Sequence, residues 1–215
     1  SYLCGYFQSE KYFKDIEKYW AKASLYEMSY MDIIKGYGDK TIRPDLPISR
    51  EEFVSMLVRA IGMPVSDDFE QSYRDVYANN WSHKYITAAK DGGLLNIYNS
   101  FYFYPYKNIS REEMAVITSN AVKGMPLTGE KRTFKDIPKY YVHKESIDRV
   151  TSLGIIMGLP DGSFDPKGNA TRAQAAVVIE RVLRLRDSSN GLSDEIIKDM
   201  ALQYEKKQIE ALSEG

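Results

Sequence analysis

Apolar positions return at helical spacing in three separate windows. Phe53, Met56, Leu57, Ala60 and Ile61 fall at i, i+3, i+4, i+7 and i+8, which predicts one apolar stripe on an amphipathic helix. Met114, Ile117, Thr118, Ala121 and Val122 repeat the pattern, as do Ala175, Val178, Ile179, Val182 and Leu183. Each window opens with a hydroxyl residue followed three positions later by Glu or Gln: Ser49 and Glu52, Ser110 and Glu113, Thr171 and Gln174. That spacing is a capping box, in which the hydroxyl takes the N3 amide and the longer side chain returns to the N-cap amide. A second helix is predicted upstream of each, from the Trp20 region to about Met31, from Trp81 to Asp91, and from about Val142 to Ser152. An apolar pair and a Gly-rich turn join the two, Gly36 to Ile42 in one case and Gly158 to Phe164 in another. The glycines are expected to supply positive φ there.

These windows are copies of one unit. Pro44, Pro105 and Pro166 are spaced by 61 residues, as are Arg50, Arg111 and Arg172. Leu25, Ile86 and Ile147 keep the same phase. Each copy opens on a similar string: Phe13-Lys14-Asp15-Ile16, Tyr73-Arg74-Asp75-Val76 and Phe134-Lys135-Asp136-Ile137. The copies are assigned to residues 7–64, 68–126 and 130–187. Gly62 with Pro64 and Gly124 with Pro126 stop the first two, and the polar run Asp187 to Gly191 is expected to stop the third. Residues 188–215 read as a separate helix or linker. One helix–turn–helix unit cannot bury its stripes alone, whereas three can close on a shared centre. The expected fold is all-α, a mostly helical bundle with pseudo-threefold symmetry.

Composition narrows the function. The chain of 215 residues has a formal net charge of -1, which offers no bulk attraction for nucleic acid. No apolar run reaches the roughly 18 residues of a membrane span. The start, Tyr2-Leu3-Cys4-Gly5, lacks the basic and apolar segments of a signal peptide, so an exported protein would carry this chain as a mature form or an excised piece. The one cysteine, Cys4, leaves the compartment open. His83 and His143 are not equivalent in the repeat, and no nucleophile–base set, phosphate loop or metal-ligand spacing occurs. Asp161-Gly162-Ser163-Phe164-Asp165 hints at a calcium loop but lacks the regular acids of one. No catalysis and no cofactor are expected.

The arginines carry the candidate chemistry. Arg50, Arg111 and Arg172 each fall at N1 of a helix, where the macrodipole disfavours a cation. The same unfavourable choice three times asks for a partner. One reading is a carboxylate from an adjoining copy: Asp15, Asp75 or Asp136. The other is an anionic ligand, gripped by the bidentate guanidinium fork and by free helix N-terminal amides. Trp20 and Trp81 head amphipathic helices, where an indole is expected in the core; stacking on a sugar ring is the alternative. Asp39 and Asp161 are expected to close their turns, with bonds to sugar hydroxyls as the alternative.

Gly36-Tyr37-Gly38-Asp39-Lys40-Thr41-Ile42-Arg43-Pro44-Asp45, followed by Ile48-Ser49-Arg50-Glu51-Glu52-Phe53, closely resembles the S-layer homology motif, and Gly158 through Gln174 resembles it similarly. The resemblance covers roughly residues 13 to 185. It implies a three-pronged bundle with grooves between adjacent copies, on the extracellular cell-wall surface. It further implies non-covalent anchoring through a secondary cell-wall polysaccharide carrying ketal-linked pyruvate, typically on N-acetylmannosamine. The ligand residues so implied are Arg50, Arg111, Arg172, Asp15, Asp75, Asp136, Trp20, Trp81, Gly38, Asp39, Gly158 and Asp161. Other S-layer subunits are further expected partners, and a protein scaffold or a peptidoglycan binder is the alternative function. The second copy departs from the pattern, with Ile97 for Gly and Ser100 for Asp, and the groove that uses it is expected to be altered or dead. The third has Val142 for Trp and Gln174 for Glu.

Overall fold

The structure, a computed structural model, describes residues 12–66, 71–127 and 129–189. Among the described residues six helices run in the predicted order: α1 Lys22–Tyr30, α2 Arg50–Ala60, α3 His83–Asp91, α4 Arg111–Ala121, α5 Lys144–Ser152 and α6 Arg172–Ser189. No strand occurs among the described residues, only three isolated antiparallel bridges, so the all-α expectation holds. Two compact units divide the chain, Ser1–Val182 and Leu183–Gly215. The first holds the repeats up to Val182, and the described residues of the second are the end of α6. That helix runs through Asp187–Ser189, where the polar run was expected to stop it. Extending an existing helix by one turn of Ser and Asp costs only tenths of a kcal/mol per residue. Cys4 and the helix expected beyond residue 190 lie outside the described residues.

Capping boxes start α2 and α4 as read. The Ser49 and Ser110 hydroxyls accept the Glu52 and Glu113 amides, and each Glu side chain accepts its N-cap amide. Thr171 and Gln174 exchange the same two bonds at α6. The bridges set the repeats around a centre. The Ile48 amide donates to the Ala170 carbonyl at 3.0 Å, Ala170 to Ile109 at 2.9 Å, and Ile109 to Ile48 at 2.9 Å. This closed cycle of three backbone bonds, on fully buried residues, is the pseudo-threefold axis.

Helix packing is between copies rather than within them. Broad helix–helix contact joins α2 to α3 and α4 to α5, the second helix of one copy to the first helix of the next. The second helices are consequently buried on nearly every face. In α2, Phe53, Val54, Ser55, Met56, Leu57 and Val58 are all buried, wider than the single stripe predicted. Within a copy, the end of the second helix is tied back by a polar side chain. Arg59 donates to the Ile33 carbonyl, Asn120 to Leu94 and Arg181 to Ile155.

The turns depart from expectation in one respect. Gly162 (82°) supplies positive φ as expected, but elsewhere it falls on Lys40 (61°) and on Arg43 (52°), Tyr104 (57°) and Asp165 (56°) just before the repeat prolines, not on Gly36, Gly38 or Gly158. Gly36 and Gly158 are needed for closeness instead. A Cβ on Gly158 would lie 2.2 Å from Cε1 of Phe134, and one on Gly36 would lie 2.1 Å from Cε1 of Phe13. A Cβ on Gly38 would meet nothing within 4 Å. Gly158→Ala is therefore expected to cost about 1–3 kcal/mol of stability through overpacking, and Gly38→Ala to be nearly neutral. Paired thermal melts of the two variants check this.

The seams between repeats as candidate ligand site

Each seam is made by the start of one repeat's second helix docking on the next repeat's turn. The N1 and N2 amides of that helix, expected to be free for an anion, are already taken. Arg50 N–H donates to the Lys107 carbonyl and Glu51 N–H to Pro105; Arg111 and Glu112 donate to Gly168 and Pro166; Arg172 and Ala173 donate to Leu46 and Pro44. With the N3 amide held by the cap, the helix ends are satisfied by protein. An anion at a seam must use side chains.

All three arginines are buried, at 6%, 4% and 6% exposure for Arg50, Arg111 and Arg172, and each reaches under the neighbouring turn. Arg50 Nη1 donates to the Phe103 carbonyl at 2.7 Å, Arg111 Nε to Phe164 at 2.7 Å, and Arg172 Nε to Ile42 at 2.9 Å. Arg172 Nη2 also donates to the Lys35 carbonyl at 2.7 Å and Arg111 Nη2 to Met157 at 3.4 Å. Arg50 lies over the Tyr98 ring and Arg172 over Tyr37, in cation–π contact.

The carboxylate partner is not the one anticipated. Asp15, Asp75 and Asp136 stay within their own repeats, clamping the two amides where the chain turns left-handed. Asp15 accepts from Ile42 and Arg43, Asp75 from Phe103 and Tyr104 (2.8 and 2.7 Å), and Asp136 from Phe164 and Asp165 (2.8 and 2.7 Å). Burial pushes the Asp136 carboxyl up, but the amides of Phe164, Asp165 and Asp136 outweigh it and hold the group below the usual range. Two of the arginines pair instead with the capping glutamate of the next repeat: Arg50 with Glu113 through Nε and Nη2, and Arg172 with Glu52 at 3.4 Å. The capping residue thus holds its own helix and the neighbouring arginine together. Sequence spacing showed the first role and not the second.

Trp20 and Trp81 are exposed, 66% and 52%, which overturns the expectation of burial. Both precede the first helical residue of α1 and α3, so they fall outside the stripe that Leu25 and Ile86 turn to the core. Each adjoins a seam. Beside Trp81, the Ser82 hydroxyl donates across to Glu51 at 2.7 Å. Beside Trp20, the Tyr19 hydroxyl bonds Asp45 at 2.5 Å; burial and that bond raise Tyr19 to about 12. In the third copy Tyr141 donates to Glu112, which also holds Lys167.

Asp39 and Asp161 close their turns on Thr41 and Ser163. Ser100 takes over that role in the second copy, accepting the Tyr102 amide at 3.2 Å, so the departure there keeps a closed turn. Gly38, Asp39 and Asp161 are exposed, whereas Gly158 is half-buried against Phe134. Cavities of about 480 and 210 Å³ sit within repeats, beside the first turn at Phe13 and Tyr37 and in the second copy at Tyr73 and Arg74. Among the described residues no cluster of His, Cys, Asp and Glu suits a metal ion, and no helix is long and apolar enough to cross a membrane.

The chain is 30% identical over 82% of its length to an amylopullulanase of Thermoanaerobacterium thermosulfurigenes, of which it covers 10%. It is 28% identical over 86% to S-layer protein EA1 of Bacillus anthracis, covering 21% of that protein. It is 27% identical over 74% to a cellulosome-anchoring protein of Acetivibrio thermocellus, covering 36%. The chain thus spans a minor part of each of these relatives, and the enzyme among them matches only over that part. Such a module belongs on the cell-wall surface, as a means of attachment. The family model described as S-layer homology domain matches residues 12–54, 72–115 and 133–176, one match per repeat, and the chain belongs to that family.

Proposed function

We propose that the chain fastens a surface protein to the bacterial cell wall by binding a secondary cell-wall polysaccharide at its seams. The observation that carries this reading is the pair of solvent-facing indoles, Trp20 and Trp81, at equivalent places beside two seams. A folded domain gains nothing in stability from exposing indoles, whereas an indole face suits the C–H face of a pyranose, and exposed aromatic anchors mark binding surfaces. Polar groups converge beside them: Glu51 with Ser82, and Tyr19 with Asp45. The ligand chemistry we assign is a sugar carrying a pyruvate ketal, whose carboxylate matches the guanidinium fork. The cellulosome-anchoring relative supports attachment as the role.

The test is co-sedimentation with purified wall sacculi, before and after the polysaccharide is stripped by hydrofluoric acid, alongside tryptophan emission during titration with the released polymer. Trp20 and Trp81 are the chain's two tryptophans, so emission reports the proposed site directly. Sedimentation with intact sacculi alone, with a blue-shifted emission on titration, supports the reading. Equal sedimentation with stripped sacculi makes peptidoglycan the target, and no sedimentation with either points to a protein scaffold.

A further inference from the structure

We propose that the seam between the second and third repeats is the chain's carboxylate-binding site, opened by Gln174 standing where the other two seams carry a glutamate that already occupies the arginine. This rests on the polysaccharide reading above and selects one seam within it.

The three seams share a backbone plan and differ in charge. Arg50 is neutralised by Glu113 and Arg172 by Glu52. Glu52, Glu113 and Gln174 are equivalent positions, each the third residue of its helix. Gln174 keeps the capping duty, accepting the Thr171 amide through Oε1 at 3.3 Å, but brings no charge. Arg111 is therefore a guanidinium at 4% exposure with no ion pair among the described residues. Among the described residues its Nη1 has no hydrogen-bond partner, and it is not one of the fully enclosed unpartnered side-chain atoms. Gln174 Nε2 likewise has no partner among the described residues.

A buried cation without a counterion is costly, which is why such groups are paired. Burial lowers the Arg111 pKa against the fields of Asp165 and Asp136, neither of which pairs with it. Four equivalent positions meet at each seam: the N1 arginine, its N2 neighbour, the facing cap residue and the residue after the turn proline. At the second–third seam these are Arg111, Glu112, Gln174 and Lys167, one net positive charge. At each of the other seams the same positions sum to one net negative charge. Lys167 and Glu112 neutralise each other in an ion pair, so the excess positive charge of this seam is that of Arg111. A carboxylate entering this seam meets a free guanidinium edge and a free amide donor. At the other two it must displace a glutamate.

This seam has Val142 in place of the indole. Charge and stacking are thus divided: the carboxylate is read between the second and third repeats, and the neutral sugar faces beside Trp20 and Trp81.

The experiment uses cap-preserving variants, because Arg111→Ala removes structural bonds as well. Purified wall polysaccharide, native and with its pyruvate removed by mild acid, is titrated calorimetrically into the wild-type chain, Gln174→Glu and Glu113→Gln. Gln174→Glu is expected to hold or raise the melting temperature and to weaken native polymer roughly 10- to 100-fold, the worth of one hydrogen bond to a charged group. Glu113→Gln is expected to add a second pyruvate-dependent site. If Gln174→Glu binds native polymer as the wild type does, while pyruvate removal abolishes wild-type binding, the seam assignment is overturned and the polysaccharide reading stands. If the wild type ignores pyruvate, both the assignment and the carboxylate reading fall.

Discussion

Arg50→Ala is expected to cost about 3–5 kcal/mol of folding stability, the penalty for removing one partner of a buried ion pair. The loss has three sources in this chain. Glu113 is left with a carboxylate whose side chain is 13% exposed and whose counterion is gone. The Phe103 carbonyl loses its buried donor. The Tyr98 ring loses the guanidinium over its face. Equilibrium urea unfolding measures the effect; a change under about 1 kcal/mol, the surface-pair range, would mean that the first seam is not held by this arginine. Arg111→Ala should cost less, because it strands no carboxylate and removes an uncompensated charge.

The second large effect is at the turn clamp. Asp136→Ala removes an acceptor that holds the Phe164 and Asp165 amides, and Asp165 sits at φ 56°. A left-handed non-glycine residue persists only where its surroundings over-determine it. The expected cost is about 3 kcal/mol, the lower end of what two hydrogen bonds to a charged group at about 1.5–3 kcal/mol each would give, because Asp136 is only half-buried. Its pH dependence has a definite sign. The folded Asp136 carboxyl is held below its ordinary value. Its contribution is therefore full above the unfolded value of about 4, and is lost as pH falls through the lower folded value. Asp136→Ala and wild-type stabilities should accordingly converge in acid and diverge toward neutrality. A constant gap across that range would contradict the clamp.

Much of the ring was legible in the sequence because its devices are local. The capping pairs at Ser49, Ser110 and Thr171 lie three residues apart, and the repeat prolines mark the turns. The arginines were legible as an anomaly, cations where a helix dipole resists them. What they bond was not, since the acceptors sit in the next copy: Phe103 lies 53 residues from Arg50, and Ile42 lies 130 from Arg172. Asp15, Asp75 and Asp136 were found as conspicuous acids and assigned to the wrong donors; the left-handed turns that need them leave no spacing signal. The indoles were misplaced because a Trp next to an apolar stripe reads as part of it, and only the helix starts at Lys22 and His83 put Trp20 and Trp81 outside. Gln174 stood out as a departure from the family pattern. Its consequence needed the observation that Glu52 and Glu113 reach across their seams.

The most direct measurement of the central claim is calorimetric titration of the wild-type chain with purified wall polysaccharide, native and depyruvylated. The account predicts saturable binding of the native polymer at one pyruvate-dependent site per chain, lost when the ketal is removed. Equal affinity for the two polymers would contradict it.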